Sequence, residues 1–214
     1  MPERLHYITM NISATLNVCR LFLSPSLCLP HIQASNFNEL RFPLVSTILP
    51  TPLEKKPSIR AIVLDKDNCF ASNHDDKVWP TYKSKWTELR AKYPEASLLI
   101  VSNSAGTNDD PGHAEAARVE ANTGIPVLRH STKKPGCYPE ILEYFYANGA
   151  IDYPSQIAIV GDRLFTDILM ANMMGAQGVW LSKGVVESQS LICKIERFVY
   201  NSLIARGYKP PSVK

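Results

Sequence analysis

A short apolar run that ends in two aspartates constrains the fold of this chain more than any other feature. Residues Ala61–Leu64 are apolar and include two β-branched side chains, which is typical of a buried central strand. Asp65 and Asp67 follow at once, so in an open α/β sheet both would lie at the crevice beyond that strand. One carboxylate could then bind a hard cation and attack phosphorus, while the other carries a proton. An isolated Asp-x-Asp is more often a strand followed by an acidic turn, so the interpretation depends on what accompanies it.

Three later strand ends also carry polar residues suited to a phosphate or a cation. They supply a hydroxyl with free backbone N–H groups, a lysine, and two carboxylates. Taken singly, each is better explained as an ordinary turn or a solvated charge. Together with the first strand end, they favour a shared site at one edge of a sheet. The predicted strands, with the polar residues that follow them, are Leu98–Val101 with Ser102 and Asn103, Pro126–His130 with Lys134, and Ile157–Gly161 with Asp162 and Asp167.

Helical patterns separate these strands, which predicts a Rossmann-like α/β fold with a doubly wound parallel sheet. A further strand, Val179–Leu181, is predicted near the end of the chain. The predicted helices begin at Pro80 and at Pro111, and run from Pro139 to Asn148, from Ile168 to Met174 and from Leu191 to Ile204.

Length and composition limit the class of protein. The chain has 214 residues, which allows one domain of ordinary size with some terminal elaboration. A net charge of only +3 gives no reason to expect nucleic acid as a partner. No apolar stretch is long enough to span a bilayer, so we expect the chain to be soluble or to lie on a surface. Five scattered cysteines without a Cys-x-x-Cys pair indicate neither zinc nor disulfides, and they favour a reducing compartment.

The first 57 residues differ from the rest, so we divide the chain into an N-terminal extension, residues 1–57, and an α/β domain, residues 58–214. The extension contains three acids, several prolines and no strong strand. Residues Met10–Ser24 have an amphipathic helical pattern. A membrane-surface anchor, a targeting segment and a helix packed on its own domain would each explain that pattern.

The four motifs together resemble those of the haloacid dehalogenase superfamily of phosphotransferases, over about residues 60–181. This resemblance implies that Asp65 is the nucleophile and that Asp67 is the general acid and base. It also implies a magnesium cofactor held by Asp65, Asp162 and the backbone carbonyl of Asp67, and such oxygen-only ligands select magnesium over zinc. The chain departs from the pattern at Cys69, where relatives often have threonine or valine, and we interpret this small thiol as structural.

The same resemblance implies which residues hold the substrate phosphate. Ser102, with Asn103 beside it, and Lys134 would bind the phosphate oxygens. Asp167 would be an acid behind the site that orients Lys134 or a bound water. Lys133 is the less favoured phosphate holder, because the family pattern has its lysine directly before proline.

The spacing of the motifs leaves little room for a separate cap domain. Only 34 residues, Asn68–Val101, separate the first motif from the second, and 31 residues, Asn103–Lys133, separate the second from the lysine. One helix and one strand occupy most of each gap. We therefore expect a capless fold with an open mouth, which suits a large or membrane-embedded phosphate ester unless another subunit covers it.

Further motifs lie in and around these strand ends and in the extension: Asp65–Cys69, Asp76–Pro80, Ser102–Thr107, His130–Cys137, Met10–Ser13 and the Asn-x-x-Arg-Leu run at Asn17. Together they resemble those of the fungal mitochondrial phosphatidylglycerophosphate phosphatases, from Met10 onwards. This resemblance implies hydrolysis of phosphatidylglycerophosphate to phosphatidylglycerol, towards cardiolipin, on the matrix face of the inner mitochondrial membrane. The implied partners are that lipid and an anionic membrane surface. A homo-oligomer is left open, and so is whether residues 1–9 belong to the mature protein.

Two other functions are compatible with the residues alone. One is a capless phosphatase for a soluble sugar or amino-acid phosphate, and the other is a non-catalytic membrane-binding protein that keeps the fold. Retention of every acidic position speaks against the second. Arg163 follows Asp162 at the sheet mouth and would either contact a lipid head group or only solvate the loop.

Overall fold

The computed structural model describes residues 23–45 and 59–213 of the chain. Within these ranges, five parallel strands form one sheet in the order β1, β5, β4, β2, β3. The strands are β1 (Ile32–Ala34), β2 (Ala61–Leu64), β3 (Leu98–Ile100), β4 (Ile157–Gly161) and β5 (Gln177–Leu181). The α-helices are α1 (Lys83–Lys92), α2 (Ala114–Thr123), α3 (Tyr138–Ala147), α4 (Leu169–Met174) and α5 (Leu191–Ala205).

Strand β2 occupies the middle of the sheet, as its apolar sequence predicts. All four of its residues are buried, and it pairs with β3 on one side and β4 on the other. Leu64, its last residue, lies opposite Ile100 of β3 and Val160 of β4. Because the three strands are parallel and end in register, the residues that follow them meet at one edge of the sheet.

Helices cover both faces of the sheet, which confirms the doubly wound α/β fold. Ile62 and Leu64 share one hydrophobic cluster with the buried side chains of α1 and α2. Ala61 and Val63 share a second cluster with those of α3 and α4. Alternate residues of a strand point to opposite faces, so the central strand contributes to both cores. The two segments between the motifs, Asn68–Val101 and Asn103–Lys133, each contain a helix that packs on the sheet. The absence of a cap domain stays a prediction.

Two predictions about strands were wrong. The N-terminal extension does contain a strand, because β1 pairs with β5 at the edge of the sheet. Residues 126–130 form no strand, only one bridge between Val127 and Ile100. Pro126 has no N–H to extend the ladder, and the N–H of His130 instead donates to the carbonyl of Gly106 (3.0 Å).

The amphipathic helix predicted for Met10–Ser24 lies almost entirely outside the described residues, as do residues 46–58. The boundary predicted near residue 57 therefore stays a prediction, although residues 28–44 contribute to the same hydrophobic clusters as the sheet. No helix in the described ranges is long and apolar enough to cross a membrane.

Candidate active site

Lys134 lies between two carboxylates beneath the carboxyl end of the sheet. Its Nζ atom donates to Asp65 Oδ1 (2.6 Å) and to Asp167 Oδ1 (2.7 Å). All three side chains are buried. Asp65 is fixed by the end of β2, since its N–H donates to the carbonyl of Val160 (2.9 Å) in the neighbouring strand. Asp167 therefore contacts Lys134, and its predicted role in orienting that lysine stays a prediction.

A third carboxylate, that of Asp162, joins the same cluster from the end of β4. Carboxylate oxygens of Asp65, Asp162 and Asp167 all lie within 4.8 Å of one another. Asp162 Oδ2 accepts a hydrogen bond from Asn68 Nδ2 (2.8 Å), which orients it from the loop after β2. The fold therefore brings Asp65 and Asp162 close together, and their role as ligands of one cation stays a prediction.

The cluster holds more negative than positive charge. Burial raises the pKa of Asp65 to about 7, although the adjacent Lys134 ammonium opposes the shift. Burial likewise raises the pKa of Asp162 to about 8, with Asp65 and Asp167 adding to the rise. For Lys134, burial lowers the pKa, but the carboxylates of Asp167 and Asp65 outweigh it and the net pKa is raised. Three clustered carboxyl groups share one ammonium, and a divalent cation with oxygen ligands would relieve that excess.

Gly161, the last residue of β4, allows Asp167 to come close to the sheet. A Cβ atom at this position would overlap the carboxylate of Asp167. The N–H of Arg163 donates to Asp167 Oδ2 (3.1 Å) and fixes that carboxylate from the other side. The glycine before Asp162 is thus required by packing, beyond the tight turn that its sequence position predicts.

Asp67 is held by Lys66, which is not among the predicted site residues. The Nζ atom of Lys66, which is fully buried, donates to Asp67 Oδ1 (2.7 Å) and to the carbonyl of Asp75 (3.1 Å). Glu115 Oε1 lies 3.2 Å from the same ammonium. The N–H of His74 also donates to Asp67 Oδ1 (2.8 Å). Successive side chains at a strand end point in opposite directions, so Lys66 is directed away from Asp65. No signal in the sequence identifies Glu115 as a partner of Lys66.

The predicted phosphate holders lie in two loops: Ser102 and Asn103 follow β3, and Lys134 follows residues 126–130. Lys134 and Asn103 are linked, since the N–H of Lys134 donates to Asn103 Oδ1 (2.8 Å). Ser102 is fully buried, and its hydroxyl oxygen accepts from the N–H of Ser104 (3.1 Å). The ring of His130 lies within hydrogen-bond distance of the carbonyls of Ser102 and Thr132, and so ties the two loops together.

An open cavity of about 390 Å³ lies above these residues. Asp65, Asp67, Asn103, Lys134 and Asp162 all line it. Ser102 and Asp167 do not belong to its lining, so among the described residues they lie beneath or beside the cavity rather than at its surface. The volume is in the range of ordinary small-ligand sites, which suits a phosphate head group.

Arg163 lines the same cavity, so its contact with a lipid head group stays a prediction, and its side chain also forms an ion pair within the protein. Its Nε atom donates to Glu196 Oε2 (2.9 Å), a carboxylate that α5 contributes and that is buried. Burial raises the pKa of Glu196, and the guanidinium opposes that rise. Glu196 also accepts from the N–H of Phe165 (3.0 Å). The pair therefore attaches α5 to the loop that carries Asp162.

Cys69 is a packing residue in the structure. Its thiol is buried beside β4, with Sγ 3.6 Å from the carbonyl oxygen of Val160, and burial raises its pKa well above the ordinary value. The neutral thiol that results has no part in nucleophilic chemistry, which agrees with the structural interpretation.

Comparison with known proteins gives consistent matches. The model of a family described as Mitochondrial PGP phosphatase matches residues 12–186. A mitochondrial phosphatidylglycerophosphatase of Saccharomyces cerevisiae is 54% identical over 194 residues, or 91% of this chain and 99% of that protein. A probable mitochondrial phosphatidylglycerophosphatase of Schizosaccharomyces pombe is 33% identical, over 91% of this chain and 93% of that protein. Among solved structures, an uncharacterised protein from Listeria monocytogenes serotype 4b has a TM-score of 0.41 at 16% identity, over 62% of this chain and 85% of that chain.

Proposed function

The chain belongs to the Mitochondrial PGP phosphatase family, and from that premise we propose how it acts on its substrate. It is a phosphatase that hydrolyses phosphatidylglycerophosphate to phosphatidylglycerol and phosphate, a step towards cardiolipin. Membership confirms the resemblance inferred from the motifs. The observation that carries the chemical part of the proposal is the Lys134 ammonium held between Asp65 and Asp167, next to the carboxylate of Asp162.

Magnesium is the cofactor that the donor set fits best. The carboxylates of Asp65 and Asp162, with the backbone carbonyl of Asp67, would hold it through oxygen atoms alone. When bound, the ion would offset the charge of the phosphate dianion and favour ionised carboxylates in a site where burial raises their pKa. Asp167 would keep its contact with Lys134 rather than serve as the main ligand.

In the first step, an Asp65 carboxylate oxygen forms a bond to phosphorus while the ester P–O bond breaks. Asp67 donates its proton to the departing alkoxide, so phosphatidylglycerol leaves as a neutral alcohol at that oxygen. Lys134 and Asn103, which line the cavity, would bind the phosphate oxygens during transfer, and Ser102, which lies outside that lining, would support the loop that carries Asn103. Lys66 orients the Asp67 carboxylate for this proton transfer.

In the second step, water attacks the phosphorus of the aspartyl phosphate. Asp67, now ionised, takes a proton from that water, and the bond between phosphorus and the Asp65 oxygen breaks. Inorganic phosphate leaves, and both aspartates return to their starting protonation states. Asp67 can serve twice because its side chain is about one-third exposed and lines the cavity.

The open cavity suits a substrate that stays in a bilayer. A lipid head group can enter from one side without a cap having to close over the acyl chains. Because the relatives are mitochondrial proteins, we propose a peripheral position on the matrix face of the inner mitochondrial membrane. An anionic membrane surface is the partner that this position implies.

The test is phosphate release from vesicles that contain phosphatidylglycerophosphate, with and without magnesium. We expect magnesium-dependent release that Asp65→Asn abolishes, because the amide cannot act as the nucleophile. Asp152→Asn is the matched control, since it makes the same change at an exposed ion pair with Arg60. Release from soluble sugar or amino-acid phosphates at the lipid rate would contradict the lipid specificity. No release from any ester would contradict an enzymatic role and favour a non-catalytic membrane protein.

A further inference from the structure

The outer face of helix α5 is apolar although it is exposed. Leu191, Ile195 and Phe198 are spaced four and three residues apart, so they share one side of the helix. Leu191 is 75% exposed, Phe198 is 72% exposed and Ile195 is 43% exposed. Three large apolar side chains on successive turns of one side of the helix form an apolar patch. Exposed apolar patches often mark interaction sites.

The inner face of the same helix contains a buried carboxylate among apolar side chains. Glu196 is buried there with Cys193 and Leu203, and it pairs with Arg163. The helix thus buries its only acidic residue and exposes its bulkiest apolar one, Phe198. A helix that only needed to cover the sheet would have the reverse arrangement, because burying a carboxylate is costly and exposing a phenyl ring gains nothing.

The apolar face begins at the mouth of the catalytic cavity. Ser190, Ile192 and Cys193 line that cavity together with Asp65 and Lys134. The first turn of α5 is therefore part of the rim, and the exposed side chain of Leu191 lies beside it. Any surface that covers this face also comes close to the cavity entrance.

The charges on α5 favour an anionic partner. Lys194 is exposed and falls between Leu191 and Phe198 on the same side of the helix. Arg197, the other basic residue of the helix, is mostly covered and lies 3.7 Å from Glu187, while the one acid of the helix, Glu196, is turned inwards. An apolar stripe with an exposed basic residue on the same side is the pattern of helices that lie in a lipid interface.

We propose that the outer face of α5, formed by Leu191, Lys194, Ile195 and Phe198, lies in the interface of an anionic bilayer and holds the cavity mouth against the lipid head groups. The proposal rests on the proposed function and names the surface that presents the enzyme to its substrate. A second copy of the chain is a poorer occupant, since it would cover the rim residue Ile192 and obstruct the cavity. The site of contact differs from the N-terminal helix predicted from the sequence.

The test measures binding of the full chain to vesicles of phosphatidylcholine with 20% phosphatidylglycerol, without substrate. We expect the double change Leu191→Ser and Phe198→Ser to weaken vesicle binding at least tenfold, because two inserted side chains are lost. Lys194→Glu should weaken it about fivefold or more, with a smaller effect at high salt. Tyr146→Ser is the matched control, because Tyr146 is 46% exposed on α3 and should leave binding unchanged.

Activity and oligomeric state complete the test. The ratio of hydrolysis in vesicles to hydrolysis of dispersed short-chain phosphatidylglycerophosphate should fall in the double variant. Vesicle binding equal to that of the unchanged protein in both the double variant and Lys194→Glu would overturn the proposal. Dissociation of an oligomer by the double change, with vesicle binding intact, would assign this face to a second copy instead. Since binding is read without substrate, it decides the proposal even if the unchanged protein hydrolyses no lipid.

Discussion

Replacing Asp162 by asparagine should stabilise the metal-free protein while removing its response to magnesium. The amide oxygen can still accept the hydrogen bond from Asn68, so the substitution mainly removes a charge. That charge is unfavourable without a cation, because Asp162 shares a buried site with Asp65 and Asp167. The direction is unusual, since most substitutions of partly buried residues destabilise a protein.

The magnitude follows from the pKa of Asp162, which burial raises from 3.8 to about 8. One pKa unit corresponds to about 1.4 kcal/mol, so the upper bound on the cost at pH 8 is about 6 kcal/mol. Solvent at this partly exposed side chain and relaxation of the loop reduce the cost, and we expect a gain of about 2 kcal/mol for Asp162→Asn. For a domain of this size, that gain raises the melting temperature by about 4–8 °C.

The dependence on pH has a definite sign. Between pH 4 and pH 8 the folded protein binds the Asp162 proton more tightly than the unfolded chain does, because its pKa is raised. The free energy of unfolding therefore falls as the pH rises through this window. Asp162→Asn removes this contribution, so its advantage over the parent should be small at pH 5 and largest near pH 8.

Denaturant unfolding at pH 5 and pH 8, with and without magnesium, measures both the pH dependence of the free energy of unfolding and its response to magnesium. Magnesium at 100 times its dissociation constant should stabilise the parent by about 2.7 kcal/mol and the variant by much less. Asp152→Asn, at an exposed ion pair, should change stability by less than about 1 kcal/mol at either pH. A lower stability of Asp162→Asn than of the parent at pH 8 without metal would refute this expectation, as would an equal gain of both proteins from magnesium.

Two further substitutions test the residues that support the site. Lys66→Met should lower kcat about 10–100-fold with KM nearly unchanged, because Asp67 loses the partner that orients it. Steady-state kinetics measure both constants, and a changed KM with unchanged kcat would contradict that role. Gly161→Ala should destabilise the protein by about 1–3 kcal/mol in denaturant unfolding and abolish phosphate release, because the new methyl group displaces Asp167. Gly178→Ala is its control, since the atoms nearest to a Cβ there are methyl groups at 3.2–3.5 Å and the change should cost less. Equal losses in the two variants would contradict the explanation.

The centre of the fold could be predicted because its signals are local. The apolar run of β2 and the glycine before Asp162 each mark a strand end, and parallel strands bring such ends to one edge. That rule alone is enough to group Asp65 with Asp162, and it also explains why Lys134 was assigned to the site although residues 126–130 do not form a regular strand. One bridge to β3 is sufficient to direct the chain towards the cluster.

The remainder could not be predicted because it depends on pairs that are distant in sequence. Lys66 is buried only because Glu115 and the carbonyl of Asp75 also reach it. Strand β1 is three residues long and gains its place from pairing with β5, so its own sequence carries little signal. Such short edge elements are decided by tertiary contacts rather than by intrinsic propensity.

The buried pair of Arg163 and Glu196 links the two parts of the proposed mechanism. Glu196 fixes α5 to the loop after β4, and the backbone N–H of Arg163 in that loop fixes the Asp167 carboxylate that holds Lys134. The helix proposed to lie in the bilayer is therefore attached to the phosphate site through three consecutive polar contacts. This explains why α5 buries a carboxylate at a cost in stability: an apolar residue there could pack against the sheet, but it could not set the orientation of the outer face relative to the cavity.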